Sequence, residues 1–577
     1  MRGSLARKLS WVLIVILLGV AVVAPVTEGA EKYFPLDKVK PGLNGDAFTV
    51  FSGTKIESFR VTVIDVVDNG TTHGKLILVR LSGKNISESG GLAAGMSGSP
   101  VYIGNQLLGA ISYGFENADP MLAMVTPIES MLELWNKRTA AVNPYPARAE
   151  YPSDLFKKFA PRISGIPANA PVMVSGMGPR GFEMVRSLFN KAGLPLVVNI
   201  GSRARNSNNS APPLQPGSAI AIQMVQGDYQ VAAIGTVTLV DGNRFLAFGH
   251  QFTNRGAVDY LAYQANIYQI VKSAAMSFKM GAATQLTGRI LQDRQAGIAG
   301  RIGEYPPMVD VQVYVNDMDQ SRRGTYHFQV IRDEQSLADL VVAGVTDAID
   351  KYIDRVGTGT GKVGVQISAD RAVINRDNMF FSKDIAVAAS ADLRDALELM
   401  TSNEFTSLYI RNINVRLDVT KQQQTARIYK LEAAKTTVRP GETVQLNATL
   451  RSFRGEPFKV AFQVKLPDKL HAGKLLFTVR SEAKSSGEDE DPSAKRANSK
   501  QEERDFDSLA ELIKDFNETP KNNEIILEYN PYNMEGDSAS GNAGTEKTNP
   551  ETKPVQLRET TGYYLLGQAE TTLEVKN

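Results

Sequence analysis

The 577-residue chain has no cysteine and only four histidines. The first absence excludes disulfides, thiolate zinc sites, thiol nucleophiles and lipid attachment at cysteine. The second leaves little material for a histidine-rich metal centre, and neither a metal nor an organic cofactor is expected. Charge of one sign is also missing: 64 Lys and Arg stand against 62 Asp and Glu, a net +2. A dedicated nucleic-acid binder carries a basic excess or stripe, so no nucleic-acid partner is expected. Beyond the N-terminus no run reaches 18 apolar residues, which removes a second membrane span.

Hydrophobic residues make up 42% of the chain and charged residues 22%, the balance of a globular protein of several domains. Arg2, Arg7 and Lys8 precede an apolar run from Trp11 to Ala24, and Thr27-Glu28-Gly29-Ala30 follows with small residues. This reads as a signal peptide over residues 1–30; the alternative is an uncleaved N-terminal membrane anchor. Either way the body is expected outside the inner membrane, in the periplasm, the outer envelope or the extracellular space.

Residues 31–140 read as β: Phe59, Val61 and Val63 alternate with polar residues, and Val101 to Tyr113 forms a hairpin around Gly104-Asn105. A helix is expected from Pro127 to Trp135. Residues 141–214 form a Pro-rich connector with one helical patch, Gly181 to Ala192. A second β region, 215–330, contains a hairpin turning at Asp241-Gly242. Residues 331–404 read as a mixed α/β connector with helices at Ser336 to Tyr352 and Ala391 to Met400. Period-two alternation from Ile413 to Leu466, punctuated by Pro440-Gly441 and Gly455-Glu456-Pro457, predicts an immunoglobulin-like β-sandwich over 405–482. Residues 483–577 read as a linker and a small α/β segment, its helix opened by the capping box Ser508-Leu509-Ala510-Glu511.

The segment Gly95-Met96-Ser97-Gly98-Ser99-Pro100 has the composition of a nucleophile turn. Acyl transfer needs a serine oxygen on a tight turn with backbone N–H groups aimed at the developing oxyanion, and flanking glycines permit that turn. In this geometry the N–H groups of Gly95 and Ser97 would form the oxyanion hole. The alternative is a Gly/Ser turn between strands. Of the histidines, His471 lies between turn residues, His327 inside a strand and His73 in a polar loop. His250 ends a return strand after Gly249 and can face a cleft; the alternative is an imidazole satisfied by a backbone carbonyl.

Gly90-Gly91, then Gly95 to Pro100, then the hairpin to Tyr113 closely resemble the SpoIVB-type serine peptidases, named for a sporulation signalling protease of trypsin-like mechanism. Ile56 to Val61 and Ile77 to Leu81 match the same block. Gly235-Thr236-Val237-Thr238 with Phe248-Gly249-His250 resembles the family's histidine segment. The resemblance covers roughly residues 40–135 and 215–315. It implies a trypsin-like double β-barrel, with Ser97 as nucleophile and His250 as general base.

Two departures accompany it. The serine block precedes the histidine block, so the chain looks permuted, which triad chemistry tolerates because it depends on geometry and not on chain order. The family's triad aspartate falls at Ser82, which cannot supply a negative charge. Asp259 is a candidate third member, with a surface or turn carboxylate as its alternative. The expected protein is therefore an exported serine endopeptidase acting on a peptide or protein substrate, its sandwich available to an envelope partner. The alternative is a catalytically inactive homologue that binds peptides or envelope proteins.

Overall fold

The computed structural model describes residues 32–68, 74–115, 117–137, 166–167, 170–201, 212–482, 506–531 and 554–576. The segment read as a signal peptide and His73 lie outside them. Among the described residues no helix is long and apolar enough to cross a membrane.

The first barrel is built from β1 (Asn44–Val50), β2 (Ile56–Asp68), β3 (Lys75–Ser82), β5 (Pro100–Ile103), β6 (Gln106–Gly114) and β7 (Leu122–Pro127), with the two-residue β4 (Ala93–Ala94) set apart from it. The order β5-β1-β2-β3-β7-β6 closes on itself because β5 also pairs with β6. Phe59, Val61 and Val63 point inward from β2 against Ile77, Val79 and Leu81 of β3, which is what their alternation dictates. A bulge between Val63 and Asp65 lets the long β2 curl around the ring. A short β8 (Ile166–Pro167) extends the sheet beside β6.

The second barrel follows β9 (Val172–Ser175) and β10 (Val197–Asn199). It comprises β11 (Ala219–Gly227), β12 (Gln230–Asp241), β13 (Arg244–Ala247), β14 (Gly256–Val271), β15 (Ser277–Arg294) and β16 (Gly297–Ile302). Its order β12-β13-β16-β15-β14-β11 is closed by pairing of β11 with β12. The molecule is mainly β with a trypsin-like pair of six-stranded barrels. Two apolar clusters weld the barrels together. One joins Val50 to Ala219, Ala221 and Ile234; the other joins Leu107, Ala110 and Met131 to Leu239 and Leu246. The start of β15 also reaches across and pairs in parallel with β4.

The second sheet continues through β17 (Met308–Asp317), β18 (Arg322–Ile331), β19 (Gly359–Ala369), β20 (Val373–Ser382) and β21 (Ile410–Thr420). The apolar helix Leu337–Ile353 packs on this extension. The strand of Ile413, Val415, Leu417 and Val419, expected to open the sandwich, is thus β21, inserted between β17 and β19. Period-two alternation specifies one buried face but not which sheet buries it.

The sandwich itself stacks β22 (Thr425–Ala433), β24 (Thr443–Ser452), β25 (Pro457–Lys465) and β29 (Tyr564–Leu566) on a second sheet. That sheet holds β23 (Thr437–Val438), β26 (Gly473–Ser481), β27 (Glu524–Tyr529), β28 (Val555–Thr560) and β30 (Gln568–Val575). The C-terminal segment, read from sequence as a separate α/β piece, instead completes this sandwich. Leu527, Leu565, Leu573 and Val575 share its core with Leu446 and Phe477. The helix Leu509–Glu518 is capped as expected, the Ser508 hydroxyl accepting the Glu511 N–H at 3.3 Å. It docks on the barrel-side sheet, where Arg376 donates to Asp392 at 2.6 Å and to the Thr519 carbonyl at 2.9 Å.

Candidate active site

The serine turn lies between β4 and β5 and is fastened to both barrels. Met96 N–H donates to Ala93 O at 2.9 Å, Gly98 N–H to Ile111 O at 2.7 Å and Ser99 N–H to Met96 O at 3.0 Å. Ser97 N–H makes no hydrogen bond among the described residues. From the second barrel, Thr236 N–H donates to Ser97 O at 2.8 Å. The Thr236 hydroxyl donates to Gly95 O at 2.9 Å, and that of Thr238 to Gly98 O at 2.8 Å. Gly98 has φ +94°, and a Cβ there would collide with the Thr236 carbonyl and sit 2.5 Å from Phe248 N, so only glycine serves. Ser97 is 0% exposed, and its hydroxyl has no hydrogen-bond partner among the described residues. Such a buried orphan costs about 1–3 kcal/mol and calls for a functional account.

The histidine segment reaches the same place. β13 ends at Ala247, and Phe248 and Gly249 take left-handed φ values of 69° and 68°. For phenylalanine that conformation is strained. It is held by Phe248 N–H donating to Thr236 O at 3.2 Å and by the ring, which fills the space a side chain at Gly235 would need. The Gly249 carbonyl accepts the Thr126 hydroxyl of the first barrel at 2.7 Å. A Cβ at Gly249 would lie 3.1 Å from Ile111 O, the carbonyl that accepts Gly98 N–H. Thr236 and Ile111 are therefore common walls of the Ser97 and His250 segments. His250 is 1% exposed, and its ring centroid stands 6.0 Å from those of Tyr113 and Phe248. Burial pushes the Tyr113 phenol up to about 12. His250 Nδ1 lies 2.6 Å from Gln251 O. A carbonyl only accepts, so Nδ1 carries a proton, and in a neutral ring that leaves the lone pair on Nε2.

Asp259 sits on β14, where its carboxylate accepts from Arg289 at 2.8 and 3.0 Å; it has no hydrogen bond to His250 among the described residues. Burial raises its pKa and the Arg289 charge opposes the rise. Ser82 is exposed at the end of β3. His327 is exposed and pairs with Asp310 at 2.7 Å, and His471 is exposed.

Two buried groups were not legible in the sequence. Lys279, on β15, is 0% exposed; its ammonium donates to Thr49 at 2.7 Å and Thr236 at 3.2 Å, and its stem packs beneath Gly95. Burial pulls its pKa down to about 7. A lysine in an alternating strand ordinarily reads as the wet face. Asp293, also 0% exposed, accepts Phe252 N–H, Thr253 N–H and the Thr253 hydroxyl, each at 2.7 Å. Its sequence neighbourhood, Gln292-Asp293-Arg294-Gln295, resembles a surface turn.

Comparison with family models matches residues 33–132 to the SpoIVB peptidase S55 family. The matched stretch contains the first barrel and the Ser97 turn. Comparison with curated proteins gives no significant match.

Proposed function

With residues 33–132 taken as a SpoIVB-type serine peptidase segment, we propose that the two barrels together form an endopeptidase site. Ser97 Oγ attacks a peptide carbonyl, and His250 Nε2 takes the serine proton and returns it to the leaving amine. The oxyanion is received by the N–H groups of Ser97 and Gly95. An acyl-enzyme forms at Ser97 and water then releases it, with His250 again the base. The observation that carries this reading is the convergence of the serine and histidine segments on Thr236, with Ser97 N–H and Oγ left without partners among the described residues. Both Ser97 and His250 are sealed from solvent, so a substrate must displace what covers them. The basic and apolar N-terminal segment supports an exported protein, and the sandwich offers a surface for an envelope partner.

A catalytically silent, peptide-binding relative is the second reading. It is favoured by one contact: His250 Nδ1 meets a carbonyl where a triad places a carboxylate. In a triad, loss of the carboxylate lowers turnover by about four orders of magnitude.

A fluorophosphonate probe on the full chain separates the two. Labelling that disappears in Ser97→Ala is expected for the peptidase. Peptide binding without labelling, over a range of pH, would replace it with the binding role.

A further inference from the structure

The group that receives the His250 Nδ1 proton is one end of a peptide unit whose other end meets a carboxylate. Gln251 C=O and Phe252 N–H belong to the same peptide, and that N–H donates to Asp293 Oδ1 at 2.7 Å. In a trans peptide the carbonyl and the N–H point in opposite directions. The imidazole, the peptide and the carboxylate therefore follow one another as a donor–acceptor chain. We propose that Asp293 is the acid of this site, a positioning residue that acts on His250 through the Gln251–Phe252 peptide.

The placement is built in by the strand register. Asp293 on β15 stands opposite Ile298 on β16, and Ile298 stands opposite Ala247, the last residue of β13 before the histidine turn. The carboxylate thus sits two strands across from the chain that delivers His250. Among the described residues its hydrogen-bond partners are all donors: Phe252 N–H, Thr253 N–H, the Thr253 hydroxyl and the Arg255 N–H. That environment is shaped for an ionised carboxylate. Burial pushes its pKa up and the four donors oppose the rise. A charged acceptor on the N–H strengthens the carbonyl at the far end of the peptide. The carbonyl then fixes the Nδ1–H tautomer and favours the imidazolium that forms when Nε2 takes a proton, the two services a triad carboxylate performs directly. Among the described residues, the other ionisable neighbours include Tyr113 beside His250, Tyr260 across the Thr253 hydroxyl, and Arg255, which is paired with Asp333.

The catalytic consequence rests on the peptidase reading, but the link between Asp293 and His250 does not. The test is spectroscopic and uses the full chain with 15N-histidine and 13C-carboxyl aspartate, His250→Gln assigning the ring. In the wild type, the Asp293 carboxyl should report an ionised group at neutral pH. In Asp293→Asn, the His250 pKa should fall by about one unit, the loss of one negative charge acting across a peptide. A protonated Asp293 in the wild type overturns the proposal even if the variant fails to fold. An unmoved His250 titration in folded Asp293→Asn overturns it as well. A shifted titration in a protein that no fluorophosphonate labels would uphold the link and reject the peptidase.

Discussion

Thr236 N–H holds the Ser97 carbonyl at 2.8 Å across the boundary between the two barrels. The same residue's hydroxyl holds Gly95 O, and its own carbonyl receives Phe248 N–H. One threonine thereby sets the serine turn and the start of the histidine turn in a common frame. Thr236→Val keeps both backbone bonds and removes only the hydroxyl. Its expected effect is a loss of about 1–3 kcal/mol in stability, from Gly95 O and the Lys279 ammonium losing a partner. Fluorophosphonate labelling should slow at least about tenfold as the Gly95 side of the proposed oxyanion site loosens. Urea unfolding and labelling kinetics check the two parts, and unchanged labelling would detach Thr236 from the chemistry.

Gly98→Ala should be among the most damaging single methyl additions in the chain. The new Cβ meets backbone at Thr236 and Phe248, which cannot swing away, and the residue keeps a φ of +94°. A cost of about 3 kcal/mol or more is expected. Gly249→Ala, whose nearest neighbours stand 3.1 Å off, should cost less. Thermal unfolding of the pair gives the order, and a milder Gly98 variant would contradict the packing described.

Ser97→Ala should raise stability while removing labelling. The substitution deletes a buried hydroxyl that has no partner among the described residues, for a gain of about 0.5–2 kcal/mol. A stability loss on calorimetry would mean that the hydroxyl is satisfied in solution.

Lys279 makes folding depend on pH in a defined direction. Its pKa falls from 10.5 to about 7 on burial, so between those values the unfolded chain holds a proton that the folded chain has released. The Lys279 contribution to stability therefore rises with pH across that window, and its burden is full below pH 7, on the order of a few kcal/mol. Lys279→Met should flatten that rise. Chemical denaturation of both proteins at several pH values decides it, and parallel curves would show that Lys279 is not the group responsible.

Arg376→Ala should release the helix Leu509–Glu518. Arg376 is the polar clamp between that helix end and the barrel-side sheet, buried against Asp392 and the Thr519 carbonyl. Limited proteolysis is expected to cut near the helix in the variant while the barrels resist, and an unchanged digest would shift the docking role to Ile513 and its apolar neighbours.

Local patterns in the sequence were read well and distant partnerships poorly. The alternation at Phe59, Val61 and Val63 and the capping box at Ser508 depend on neighbours within a few residues, and the structure has them. The Ser97 turn and the strand end before His250 were legible because glycines mark left-handed backbone. Phe248 carries the same conformation without that mark, so its strain was not. Lys279 and Asp293 escaped for another reason: a charged side chain is ordinarily a sign of solvent, and only the closure of both barrels shows these two as buried. The strand of Ile413 to Val419 was recognised as a strand and assigned to the wrong sheet, because alternation is silent about its partner.

The sandwich joins chain positions separated by more than a hundred residues, with Thr437 and Val438 beside Glu574 and Val575. During vectorial synthesis its two sheets cannot lock until residue 575 has emerged, however early the barrels condense. The module therefore closes only after the barrels that precede it have been made, and loss of the strand that carries Leu573 and Val575 leaves an open apolar seam and not a shorter domain.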